Sequence, residues 1–91
     1  MPRVPSPAAV RIGELISAQR VHRGLTQDQL AVLSEIDSAN IRGYEKGRSL
    51  MNIPTLIRIA DALRITPGSL LDGVTVEMLP APKPDARRRV S

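Results

Sequence analysis

GLTQDQLAVLSEIDSANIRGYEKG, residues 24–47, contains two short helical patterns separated by the link Glu35-Ile36. Thr26 with Gln29 three positions on forms a capping box, in which the hydroxyl and the amide each satisfy an orphan N–H. Leu30, Ala31 and Leu33 supply the apolar face of the helix that follows. After the link, Asp37 is a good N-cap for a second pattern that runs to about Lys46 and is closed by Gly47. Only Ile41 and Tyr44 face inward there; the other residues are small or polar. A helix with so narrow an apolar stripe leaves most of its surface uncovered. Two short helices in this arrangement form a helix-turn-helix, which holds its second helix proud of the domain.

The flanking sequence supplies a body for that unit. From Ala8, apolar residues recur at Val10, Ile12, Leu15 and Ile16, close to helical spacing, up to Arg23-Gly24. Asn52 can cap another helix, with Pro54 tolerated in its first turn and Leu56, Ile57, Ile59, Ala60 and Leu63 apolar. Thr66 and Pro67 open a further segment with Leu70 and Leu71 inside and Gly73 as its stop. The expected architecture is all-α, a compact bundle of five helices over residues 8–73. Residues 1–7, with three prolines, are expected to form a flexible N-terminal arm. Residues 74–91 are expected to form a C-terminal extension and a basic flexible tail. Within that extension, VTVEML alternates like a strand or an extended segment.

Composition excludes several classes. The 91 residues contain no Cys, so disulfides, thiolate catalysis and cysteine zinc sites are ruled out. His22 is the only histidine and has no second ligand at a metal spacing, so it reads as a surface residue. Without clustered carboxylates, there is no nucleophile–base pair from which to build an enzyme. No secretory h-region opens the chain and no run approaches a membrane span, so a cytoplasmic protein without cofactor or metal is expected. The net charge is +4, yet residues 8–73 hold eight basic against seven acidic side chains. Bulk charge therefore only permits a nucleic-acid partner; the placement of a few bases has to decide.

IGELISAQRVHRGLTQDQLAVLSEIDSANIRGYEKGRSLMNIPTLIRIADALRITPGSLL resembles the lambda-repressor-like, Cro/CI-type (XRE) family of helix-turn-helix domains. The marks are GLTQDQLA, IRGYEKG, and LIRIADAL followed by ITPGSLL, in that order and spacing, between about Val10 and Leu71. The resemblance implies a sequence-specific DNA-binding transcription regulator of repressor type. It would act as a homodimer on a pseudo-palindromic operator, with the helix near 37–46 in the major groove. It implies base reading by Ser38, Ala39, Asn40, Arg42 and Gly43, and phosphate contact by Gln27, Arg20, Lys46 and Arg48. An ion pair between Arg20 and Glu45 would fix the recognition helix, and Leu70, Leu71, Val74 and Val76 would form a dimer seam, or else ordinary core. Two departures stand out. Glu35 occupies a turn position where the family usually has Gly, and Ala39 and Gly43 replace longer polar readers.

The alternative reading is a protein-interaction module, such as the antitoxin of a toxin–antitoxin pair, with a protein partner and secondary DNA binding. Double-stranded DNA remains the first partner expected, with the protein on the nucleoid when bound. With no room for a separate sensor domain, control is expected from the protein's own concentration, a partner or proteolysis.

Overall fold

The computed structural model describes residues 6–80. The basic cluster at 87–89, residues 1–5 of the expected arm and the tail from 81 onward lie outside the described residues. The described chain forms four α-helices, α1 (Pro7–His22), α2 (Gln27–Ser34), α3 (Ser38–Glu45) and α4 (Ile53–Ala62). Two 3₁₀ turns follow, at Pro67–Leu71 and Val76–Met78. The all-α class holds, but the fifth helix is a 3₁₀ turn. Five residues led by Pro and Gly are too few to repay helix nucleation, and Ser69 N–H closes the tighter ring to Thr66 O at 3.0 Å. The alternating VTVEML segment likewise winds into a turn, and no strand occurs among the described residues. Alternation alone cannot hold a strand without a neighbour to pair with.

Each helix starts where a short polar side chain can satisfy its orphan donors. Ser6 Oγ accepts from Ala9 N–H at 3.1 Å, so α1 takes in Pro7 as its first residue. Thr26 and Gln29 complete the reciprocal box at 3.0 and 2.8 Å. Asp37 Oδ1 accepts from Ala39 N–H at 3.2 Å, and Asn52 Oδ1 from Thr55 N–H at 2.9 Å. Two helices end on residues in the left-handed region that are not glycine, Glu35 and Arg64, each with φ +59°.

The core is aliphatic: Ile12, Ile16, Leu30, Ile41, Leu56, Ile59, Leu63 and Leu70 pack with Ala31 and Ala60. Six of these large side chains are fully buried, each worth roughly 1.5–3 kcal/mol. α1 lies against α3, α2 crosses α3 and packs on α4, and the first 3₁₀ turn closes the base against α4 and α1. One expectation fails in α2: Leu33 is 57% exposed, and Ser34 is buried in its place. At about 100° per residue, Leu30, Ala31 and Ser34 share an arc centred on Ser34, from which Leu33 stands about 100° away. The buried hydroxyl is satisfied within its own helix, donating to Leu30 O at 2.7 Å.

Candidate nucleic-acid interface

The link between α2 and α3 sets the geometry of the site. Glu35 adopts φ 59° and ψ 36°, and the next N–H, from Ile36, returns to Ala31 O at 3.1 Å. This is the C-terminal closure normally made by glycine. An acidic residue therefore accepts the left-handed conformation at the position where the sequence departs from the family habit. Its carboxylate lies 3.6 Å from Arg58 on the exposed surface.

α3 is anchored from beneath. Ile41 is fully buried, and Ile36 and Tyr44 pack against the core from the side. On the outer face Ala39, Asn40 and Arg42 are exposed, with Ser38 and Gly43 half-buried beside them. Arg42 is tethered rather than loose: Nη1 donates to Ser38 Oγ at 3.3 Å and Nη2 to Asp28 Oδ1 at 3.0 Å.

The C-terminal end of α3 is fixed by charge and by close approach. Arg20 donates to Glu45 through Nε at 2.6 Å and Nη2 at 3.0 Å, and through Nη1 to Leu25 O at 2.8 Å. Gln27 Nε2 adds a third donor to Glu45, at 3.1 Å. These side chains are largely covered, 15% exposed for Arg20 and 6% for Glu45, where a bidentate pair is stronger than at the open surface. All three Arg20 nitrogens thus have protein acceptors. Lys46 and Arg48 are exposed and form no ion pair with a described residue.

Two glycines that base- and phosphate-reading patterns do not single out allow α1 to come this close. A Cβ on Gly13 would lie 2.3 Å from Tyr44 O and 2.8 Å from Glu45 O. A Cβ on Gly47, whose φ is +73°, would lie 2.8 Å from Val10 Cα. The available signal for Gly13 was its own cost: a mid-helix glycine loses about 1 kcal/mol against alanine, so something must require it. Gly43 is the converse, with nothing within 4 Å of a Cβ built there.

The candidate seam residues divide. Leu70 is fully buried and belongs to the core, because the turn that carries it is pressed onto α4 and α1. Val74 packs against that core from the side, whereas Leu71 and Val76 are 41% and 78% exposed. His22 is exposed, and no group of three or more potential metal ligands occurs among the described residues. No described helix is long and apolar enough to cross a membrane.

Comparison with known proteins places this geometry. The helix-turn-helix family HTH_3 matches residues 16–70. The restriction–modification controller protein C.AhdI from Aeromonas hydrophila is 32% identical, with a TM-score of 0.67, over 68% of this chain and 94% of that one. A second such controller, C.Esp1396I, is 25% identical, with a TM-score of 0.64, over 69% of this chain and 82% of its own. An HTH_3 family transcriptional regulator from Vibrio cholerae is 28% identical, with a TM-score of 0.67, over 69% of this chain but only 35% of its own. Among proteins of curated function, none matches. The chain belongs to the HTH_3 family of helix-turn-helix proteins, the XRE-type DNA-binding transcription regulators.

Proposed function

We propose that this protein represses transcription as a homodimer on a pseudo-palindromic operator, with α3 of each protomer in the major groove. The observation that carries the reading is the division of α3 into two faces. Ile41 and Tyr44 are held by the core, while Ser38, Ala39, Asn40 and Arg42 point outward. A helix about 10 Å across fits a groove about 12 Å wide, where the donor and acceptor pattern differs for every base pair. Arg42 and Asn40 are the readers with hydrogen-bond capacity, Ser38 is a shorter one, and Ala39 can touch a thymine methyl. Gly43 lets the helix lie close to the groove floor.

Phosphate contact falls to Gln27, Lys46 and Arg48. Arg20 acts instead as a holder, since Nε, Nη1 and Nη2 each donate to Glu45 or Leu25 O and its side chain is only 15% exposed. Dimerisation is assigned to Leu71 and Val76, two of the exposed apolar residues near the end of the fold. Within the family the likeness to two restriction–modification controllers, one matched over 94% of its length, favours a controller role. The protein would then work in the cytoplasm, on the nucleoid when bound.

A second reading, a module that binds a protein partner, is favoured by one feature. Val32 and Leu33 are 77% and 57% exposed on α2, beside Leu25 in a shallow apolar cleft. Selection from a random DNA pool at two salt concentrations, with wild type beside Arg42→Ala, separates the two. Enrichment of a palindrome that the variant loses supports the operator reading. Weak binding that is equal for all sequences overturns it and leaves the partner module.

A further inference from the structure

The single arginine on the exposed face of α3 is held by a residue from the other helix of the motif. Asp28, in the first turn of α2, accepts from Arg42 Nη2 at 3.0 Å, while Ser38 Oγ accepts from Nη1 at 3.3 Å. Both charged side chains are exposed, 46% for Arg42 and 72% for Asp28, so the pair contributes little to folding. A carboxylate in the first turn of a helix is favoured by the dipole, and that alone could explain its presence. It does not explain why the guanidinium of a neighbouring helix is drawn to it.

The consequence lies in what the tether does to a flexible cation. An arginine on an open helix can sweep over phosphates and base edges alike, and phosphates carry no sequence information. The guanidinium has five N–H donors in one plane. Asp28 and Ser38 occupy one on each terminal nitrogen, which leaves Nε–H and the second N–H of each terminal nitrogen for another acceptor. The Asp28 carboxylate also repels the phosphate track on which an untethered Arg42 would settle. The acceptor with matching geometry is a purine edge in the groove, guanine O6 and N7 above all.

We propose that Asp28 is a positioning residue for sequence readout. It keeps Arg42 off the DNA backbone and directs its remaining donors to a guanine edge. The inference rests on the operator reading and names the base that one side chain recognises within it. Neutralising Asp28 should loosen discrimination without weakening overall attachment, the opposite of what losing a simple contact does.

The test compares wild type, Arg42→Ala, Asp28→Asn and Asp28→Ala in selection from a randomised DNA pool and in salt titrations of binding to non-specific duplex. Thermal unfolding confirms that each variant is folded. Wild type is expected to select a guanine whose preference disappears in Arg42→Ala. Asp28→Ala should lose more than threefold of that preference at the same position, while non-specific affinity holds or rises. Its log–log salt slope should steepen by about 0.9, the signature of one added phosphate contact. Asp28→Asn, which keeps an acceptor oxygen without the charge, should fall between wild type and Asp28→Ala. A guanine preference in Asp28→Ala within threefold of wild type overturns the inference while leaving the operator reading intact. So does a selected site unchanged in Arg42→Ala. Failure of wild type to enrich any sequence overturns both.

Discussion

Replacing Gly43 with alanine should make this protein more stable, although the position lies in the middle of the helix assigned to DNA. The backbone at Gly43 is helical, and a Cβ built there meets nothing within 4 Å. The added methyl therefore neither clashes nor packs, and what remains is the backbone entropy that glycine loses in a helix. That amounts to about 0.5–1 kcal/mol in favour of alanine. For a domain of 60–100 residues each kcal/mol moves the melting temperature by about 4–8 °C, so a rise of roughly 2–8 °C is expected. Gly13→Ala is the control, because the same helix-propensity gain meets the carbonyls of Tyr44 and Glu45 at 2.3 and 2.8 Å. Backbone atoms cannot move aside as a flexible side chain can, and overpacking of about 1–3 kcal/mol should win. Circular dichroism at 222 nm during heating reads both. A lower melting temperature for Gly43→Ala, or an unchanged one for Gly13→Ala, would refute the reasoning. With the fold intact, a tenfold loss of DNA affinity in Gly43→Ala would mark the position as one that touches DNA.

Other perturbations test separate parts of the structure. A double-mutant cycle between Arg20→Ala and Glu45→Ala should show coupling of about 1–3 kcal/mol, because both side chains are mostly covered; additive effects in chemical denaturation would argue against it. Glu35→Gly should relieve the left-handed backbone at φ 59° and lose only an exposed 3.6 Å pair. A gain of about 0.5–1 kcal/mol is expected in urea unfolding, and a loss would show that the turn draws on the carboxylate. Val76→Glu places a charge on a side chain that is 78% exposed in one protomer. Sedimentation equilibrium should show the proposed dimer weakened by at least tenfold with the fold retained, and a wild-type dimer unchanged in the variant would move the seam elsewhere.

What the sequence made legible was mostly local. Thr26 with Gln29, Asp37 and Asn52 mark helix starts because a cap acts within three residues of its own position. Leu33 is expected on the buried face of α2 because hydropathy favours a leucine there, yet it is exposed. The helix phase, set by Leu30 and Ala31, instead buries the serine, whose hydroxyl finds an acceptor within α2. Leu70 could not be separated from a seam residue by pattern alone, since apolar side chains serve cores and interfaces equally; its place against α4 and α1 puts it in the core. Gly13 signalled only the cost of a mid-helix glycine, which Gly43 shares without any close contact, and Asp28 gave no local signal. Gly13 is required by a helix thirty residues further on, and the link from Asp28 to Arg42 exists only once α2 and α3 are crossed.

Glu45 receives donors from Arg20 of α1 and Gln27 of α2 while belonging itself to α3. Three helices are thereby tied at a single carboxylate, within one turn of where Gly13 brings α1 onto α3. On the operator reading, a unit knotted in this way would meet DNA as a solid piece, with little motion left to freeze on docking. Encounter rates should then vary little between operators, being set by diffusion and long-range charge. On that reading, good and poor sites should differ instead in how long the complex lasts, so residence time on DNA would be the quantity that carries selectivity.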